Sequence, residues 1–212
     1  VGARTSKTTP QTRRLVLASG SPRRRAMLEE AGIPFVVRPA PIDDGELEPP
    51  ELAHPGSWVM ALAYLKARSV LDACAGSDDL ACLVLGADTV CVQGGSIIGQ
   101  PRDRDHARAI IERMRDSTHE VLTGVAILCA SGTVRDLFVD RSVVRVGRIG
   151  DDEVARYLDT GLWEGKAGAY NITERITAGW PIEYEGSEDT IVGLPLGRVL
   201  ERIASMRFDG AA

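Results

Sequence analysis

The chain has 212 residues, 44% of them hydrophobic, which supports a sizeable core and argues against disorder over most of its length. Its 25 lysines and arginines against 30 acidic residues give a net charge of −5, which argues against a general nucleic-acid binder but leaves room for a local basic pocket. No apolar run approaches the ~18 residues of a membrane span and no apolar leader is visible, so a cytoplasmic protein with no membrane attachment is expected. The cysteines Cys74, Cys82, Cys91 and Cys129 lack metal-like spacing and lie in apolar surroundings, as small core residues of a reducing compartment do. His54, His106 and His119 are too scattered for a zinc site.

Residues 1–13 are polar and free of acids and are expected to form a disordered tail; residues 207–212 are expected to be a C-terminal tail. Leu15-Val16-Leu17-Ala18 is long enough for one buried strand. Ser19-Gly20-Ser21 then turns into a helix: Ser21 can accept hydrogen bonds from free N–H groups, and Pro22 costs nothing at the first helical position. This helix is predicted from Pro22 to about Ala31, stopping at Gly32. A helix N-terminus carries roughly half a positive charge and favours acids, yet Arg23, Arg24 and Arg25 fill the first turn. Arg25 has a partner at helical spacing in Glu29, whereas Arg23 and Arg24 have none. The alternatives are a solvated basic patch and an anion site, and a strand–turn–helix N-terminus suits a phosphate.

Pro34–Arg38 reads as a second strand. Residues 39–56 form a Pro-rich acidic connection carrying Asp43, Asp44, Glu46, Glu48 and Glu51. The pattern favours a solvated loop over a lid that brings a carboxylate to a hard cation. Residues 57–75 read as a helix with Val59, Leu62, Ala63 and Val70 on one stripe. Lys66 falls on that stripe, either snorkelling to solvent or entering a pocket. The strongest strand is Leu80–Val92, expected at the centre of the sheet by its apolar content and interrupted by Asp88. A buried carboxylate is costly unless paired, hydrogen-bonded or metal-bound. Gln93-Gly94-Gly95 turns into Ser96-Ile97-Ile98. Asp103 can cap a helix to about Arg115. Residues 120–129 and 133–146 read as an antiparallel pair, Asp151 can cap a short helix to Leu158, and Gly165–Tyr170 is rich in small residues that suit either packing or a ligand. Residues 180–192 suggest short strands, and Leu196–Met206 a final helix.

Several motifs together resemble those of the Maf-like nucleotide pyrophosphatases: Ala18-Ser19-Gly20-Ser21-Pro22-Arg23-Arg24, Leu62-Ala63-Tyr64-Leu65-Lys66-Ala67, Gly86-Ala87-Asp88-Thr89-Val90, His119-Glu120-Val121-Leu122-Thr123-Gly124-Val125, Lys166-Ala167-Gly168-Ala169-Tyr170 and Val192-Gly193-Leu194-Pro195. They occur in family order over roughly residues 14–206, which the resemblance makes a single catalytic domain of two lobes. It implies an α/β fold, a mixed twisted sheet with flanking helices around a cleft, related to the inosine-triphosphate pyrophosphatase group and often homodimeric. It also implies an activity, cleavage of a nucleoside triphosphate to the monophosphate and pyrophosphate with a divalent cation, Mg²⁺ or Mn²⁺. Family members are linked to clearing non-standard or excess nucleotides and to restraint of cell division.

By position, the resemblance makes Asp88 the general base and a metal ligand. It makes Ser19, Ser21, Arg24, Lys66 and Lys166 triphosphate contacts. Asp44 falls where the family usually has a metal-binding glutamate, and Arg23, Thr89 and Thr173 fall where substrate classes diverge. Gln100 stands in Gly99-Gln100-Pro101 where the family commonly has lysine, so one phosphate-facing cation is absent. Arg23 and Thr89 agree with the dTTP/UTP-acting branch and Thr173 does not. The residue types suit metal-assisted attack of water on the α-phosphorus, with cations gathered around a triphosphate. The alternative is a non-catalytic nucleotide-binding regulator of cell division.

Overall fold

The computed structural model describes residues 14–42, 47, 49–50, 53–74, 82–129 and 135–206. The two expected tails and Asp44 lie outside the described residues. In chain order the elements are β1 (Arg14–Leu17), α1 (Pro22–Glu30), β2 (Phe35–Val37), α2 (Pro55–Cys74), β3 (Cys82–Gln93), β4 (Ser96–Ile98), α3 (Arg104–Met114), β5 (Ser117–Cys129) and β6 (Arg135–Val146). There follow α4 (Asp151–Asp159), a 3₁₀ turn (Ala167–Ala169), α5 (Ile172–Thr177), β7 (Ile182–Glu185), α6 (Glu188–Val192) and α7 (Leu196–Ser205). Among the described residues no helix is long and apolar enough to cross a membrane.

The strands form one mixed, open sheet in the order β2-β1-β3-β5-β6-β7, with β4 also on β3. The run β2-β1-β3 is parallel, and β3, β5, β6 and β7 pair antiparallel. One edge of β3 is shared by two short partners. β1 pairs with it only as far as Leu85, and β4 only from Cys91 onward. Among the described residues no strand covers residues 86–90 on that side, and the chain leaving β1 turns into α1 at this gap.

Because side chains alternate along a strand, β3 serves two faces. On one, α2 lays its stripe of Val59, Leu62, Ala63, Ala67 and Val70 against the sheet. The approach is close: a Cβ on Gly86 would lie 2.3 Å from the Ala63 carbonyl oxygen, and one on Gly124 2.5 Å from that of Val59. The absence of side chains at these points lets the α2 backbone touch the sheet. Lys66 recurs at helical spacing with Leu62, Ala63 and Val70, so the close approach carries it inward.

The other face holds two apolar clusters. One joins α1 and α7 to the sheet through Leu28, Val199, Leu85, Val125 and Ile127. The other gathers α3, α4, Trp163 and Trp180 over Cys91, Val121 and Val144. Between them runs a polar row, Thr89 beside Thr123 beside Asp140 in register across β3, β5 and β6. Cys82, Cys91 and Cys129 are buried in the core, as their apolar surroundings suggest.

Two local expectations are corrected, and one helix is new. Gly150, not Asp151, caps α4; the Asp151 carboxylate is drawn away to Arg115. Residues 188–192 are a helix, although Thr190, Ile191 and Val192 favour strand by type; Glu188 and Asp189 in the first turn complement the helix dipole. Residues 172–177 form a helix that the sequence reading omitted, capped by the Asn171 side chain accepting from Glu174 N at 3.0 Å.

Candidate active site

The β1–α1 junction is built as its sequence suggests. Ser21 caps α1 with extended dihedrals, φ −67° and ψ 118°, and its hydroxyl accepts from Arg24 N at 3.5 Å. Ser19 Oγ accepts from Ser21 N at 3.2 Å. The three arginines of the first turn divide. Arg25 pairs with Glu29 at 2.8 Å in solvent. Arg23 is exposed, and its side chain has no hydrogen bond or ion pair with a described residue. Arg24 is 8% exposed and folds inward: Nε donates to the Gly193 carbonyl at 2.8 Å, Nη1 to Ser19 Oγ at 3.1 Å and Nη2 to Thr89 Oγ1 at 3.1 Å. Much of its planar donor fork is therefore committed to the protein.

Asp88 and Thr89 lie in the β3 gap and leave the strand on opposite faces. Asp88, 6% exposed, turns to the α2 face, where Lys66 Nζ donates to its Oδ1 at 2.6 Å. The two side chains are 11% and 9% exposed, so Lys66 takes the pocket in preference to solvent. A desolvated pair of this kind is tolerated because each charge answers the other. Thr89 turns to the opposite face and to Arg24. Because the edge is open here, both residues border one cavity of about 810 Å³.

That cavity is lined at one end by Ser21, Arg23, Arg24, Lys66 and Asp88, and further along by Ile98, Val121, Val144, Tyr170 and Ile172. Gln100 and Lys166 also line it. Lys166 Nζ is engaged by Glu174 Oε2 at 2.7 Å. Ser19 is buried behind Arg24 and is not part of the lining; Thr173 is exposed on α5, outside the lining, and donates to Glu188 at 3.3 Å. Asp88 is the single carboxylate among the described lining residues, and no cluster of three candidate metal ligands occurs among the described residues.

Sequence reasoning passed over two lining residues. Arg102 is exposed and has no side-chain hydrogen bond or ion pair with a described residue. Its backbone is held, however: Arg102 N donates to His106 Nδ1 at 3.2 Å, and Asp103 caps α3. The signal was its place two residues beyond Gln100, on the same loop. His119 is 2% exposed, with Nε2 3.2 Å from the Tyr170 hydroxyl and Nδ1 buried without a hydrogen-bond partner. Burial pushes the imidazole down to about 4, so the ring is neutral at ordinary pH. Nearby, burial pushes the Cys91 thiol up to about 12, which leaves it protonated and unreactive. Burial raises the Tyr170 phenol as well.

In comparison with known proteins, residues 14–206 match the family model described as Maf-like protein. The chain is 43% identical over 187 residues to a protein of Hahella chejuensis named dTTP/UTP pyrophosphatase, covering 88% of this chain and 89% of the relative. It is 38% identical over 195 residues to one of the same name from Salinibacter ruber, covering 92% of each. A third of that name, from a Geobacillus species, is 38% identical over 191 residues, covering 90% of this chain and 97% of the relative.

Proposed function

The chain belongs to the Maf-like protein family, and on that premise we propose that it is a nucleoside triphosphate pyrophosphatase that hydrolyses pyrimidine nucleotides, dTTP and UTP first, to the monophosphate and pyrophosphate. The observation that carries the reading is the buried Asp88–Lys66 pair in the open edge of β3, beside the basic N-terminus of α1. The cavity has the volume of a small-molecule site, charged at one end and apolar along its length.

In this reading the triphosphate lies at the charged end. It carries close to four negative charges, and the exposed Arg23 and Arg102 can turn toward it without giving up a described partner. Lys66 and Lys166 add point charges, and the N–H groups following Ser21 add a fixed dipole. Arg24 borders this end as a cation whose position the protein sets. The base occupies the apolar stretch, with Tyr170 and the neutral His119 as its polar border.

Asp88 takes the proton of a water that attacks the α-phosphorus. The bond between that phosphorus and the bridging oxygen breaks, and pyrophosphate leaves. Lys66 orients the carboxylate through Oδ1 and, being an ammonium, stabilises negative charge that develops on the phosphate oxygens. The donor set fits a hard divalent cation of the Mg²⁺ type, which is commonly held by one or two carboxylates and substrate phosphates. Asp88 is the described residue that would hold it. Such a cation supplies charge neutralisation on the triphosphate and acidifies bound water.

The test is pyrophosphate release from a panel of ribo- and deoxynucleoside triphosphates with Mg²⁺ or Mn²⁺. Turnover of dTTP and UTP ahead of purine triphosphates is the expected result. Nucleotide binding without product from any of them would favour a regulator instead.

A further inference from the structure

Thr123 interrupts an apolar pattern. Val121, Val125 and Ile127 share its face of β5 and are buried, and Thr123 itself is 0% exposed. A valine would fill the same space without the desolvation cost of a hydroxyl. The hydroxyl is retained within a hydrogen-bond chain whose direction can be worked out from proton counting. A threonine hydroxyl has one proton and two lone pairs. Thr123 Oγ1 donates to the Thr190 carbonyl at 2.7 Å, and a carbonyl can only accept. With that proton spent, the 2.9 Å contact between Thr123 Oγ1 and Thr89 Oγ1 has to be donated by Thr89. Thr89 is left as the acceptor for Arg24 Nη2 at 3.1 Å. The chain runs one way, from guanidinium to Thr89, to Thr123, to the main chain of α6. The Thr190 hydroxyl in turn binds Asp140, which also pairs with Arg198 of α7.

We propose that Thr123 is a positioning residue for the cavity's charged end: by taking the Thr89 proton it turns the Thr89 lone pair toward Arg24 and so holds the guanidinium in place. Position 89 therefore shapes the site as a strut for Arg24 and has no hydroxyl proton to offer a nucleotide. Only the identity of the ligand rests on the function proposed above; the strut itself does not.

Two readouts on the full chain keep these apart. The first needs no nucleotide. The side-chain N–H signals of Arg24 are followed by NMR exchange with solvent in wild type, Thr123→Val and Thr123→Ser, with the buried Trp163 Nε1–H, which donates to the Leu158 carbonyl at 2.9 Å, as internal reference. Arg24 should exchange about tenfold faster in Thr123→Val than in wild type, the scale of losing one hydrogen bond, with Trp163 unchanged and Thr123→Ser like wild type. Equal Arg24 exchange in all three, or equal acceleration of Trp163, overturns the proposal. Should the valine variant not fold, Thr123→Cys supplies the same contrast, because a thiol packs well when buried but is a weak acceptor.

The second readout is calorimetric binding of a non-hydrolysable UTP analogue. Thr123→Val should weaken it several-fold, and Thr89→Val/Thr123→Val should bind no worse than Thr89→Val alone, since one effect passes through the other. Additive losses overturn the strut. A wild-type chain that binds no triphosphate overturns the functional reading, and the exchange measurement still decides the role of Thr123.

Discussion

Asp88 and Thr89 are neighbours on one strand, yet they meet different worlds. Asp88 enters the α2 face as half of a buried ion pair, 2.6 Å from an ammonium. Thr89 enters the opposite face as one neutral link in a chain of hydroxyls and carbonyls that ends in main chain. The difference teaches how an open strand edge can be used. Where a sheet is fully paired, its two faces are separated by the backbone ladder. Where one edge of β3 has no strand partner among the described residues between Leu85 and Cys91, while β5 still covers the other edge, both faces open into one cavity. In the proposed mechanism, a carboxylate that takes a proton then sits beside a hydroxyl that only holds.

The two faces should fail in different ways when altered. The largest belongs to Asp88→Asn, which keeps the shape and an acceptor for Lys66 but loses the base. Turnover should fall by about 10³, within the usual span for a general base, while a UTP analogue still binds within a few-fold of wild type. Wild-type turnover in this variant would end the assignment of chemistry to the α2 face. Next is Lys66→Ala, which takes the ammonium away from a buried carboxylate; urea denaturation should show a loss of about 3 kcal/mol. Unchanged stability would mean that water already solvates the pair.

His119 lies on the Thr89 face and tests whether that face is as dry as its hydroxyl chain implies. The folded imidazole is held at about 4 against an ordinary 6.5. Between those values the unfolded chain binds a proton that the folded chain refuses. Stability contributed by the neutral ring is therefore complete above 6.5 and is lost as pH falls toward 4, by on the order of 3 kcal/mol. His119→Gln should flatten the dependence of melting temperature on pH across that window; a parallel curve would show a hydrated ring. The smallest effect belongs to the exposed rim. Arg102→Gln should raise KM for UTP about fivefold with little change in kcat, and less at high salt, as for an exposed charge contact.

Much of this arrangement was legible in the residues. The apolar runs marked β1 and β3, Ser21-Pro22 marked the start of α1, and the period of Val59, Leu62, Ala63 and Val70 placed Lys66 on the inward stripe of α2. Asp88 stood out because a carboxylate in a central strand needs a reason. What stayed hidden was long-range. Arg24 reads as a phosphate ligand from its place in a first turn, but Gly193, 169 residues away, takes its Nε. Thr123 reads as one polar residue among apolar ones, and its task appears only when β3, β5 and α6 are brought together. The short α6 was obscured because its β-branched residues argue for strand, against which stand the acidic first turn of Glu188 and Asp189 and the burial of Thr190.

The most direct measurement follows the oxygen. Hydrolysis of UTP in heavy-oxygen water, with wild-type protein and Asp88→Asn side by side, reports both where water attacks and whether Asp88 directs it. Label is expected in the uridine monophosphate and not in the pyrophosphate, with almost no labelled product from the variant. Label in pyrophosphate, or equal labelling by both proteins, would contradict it.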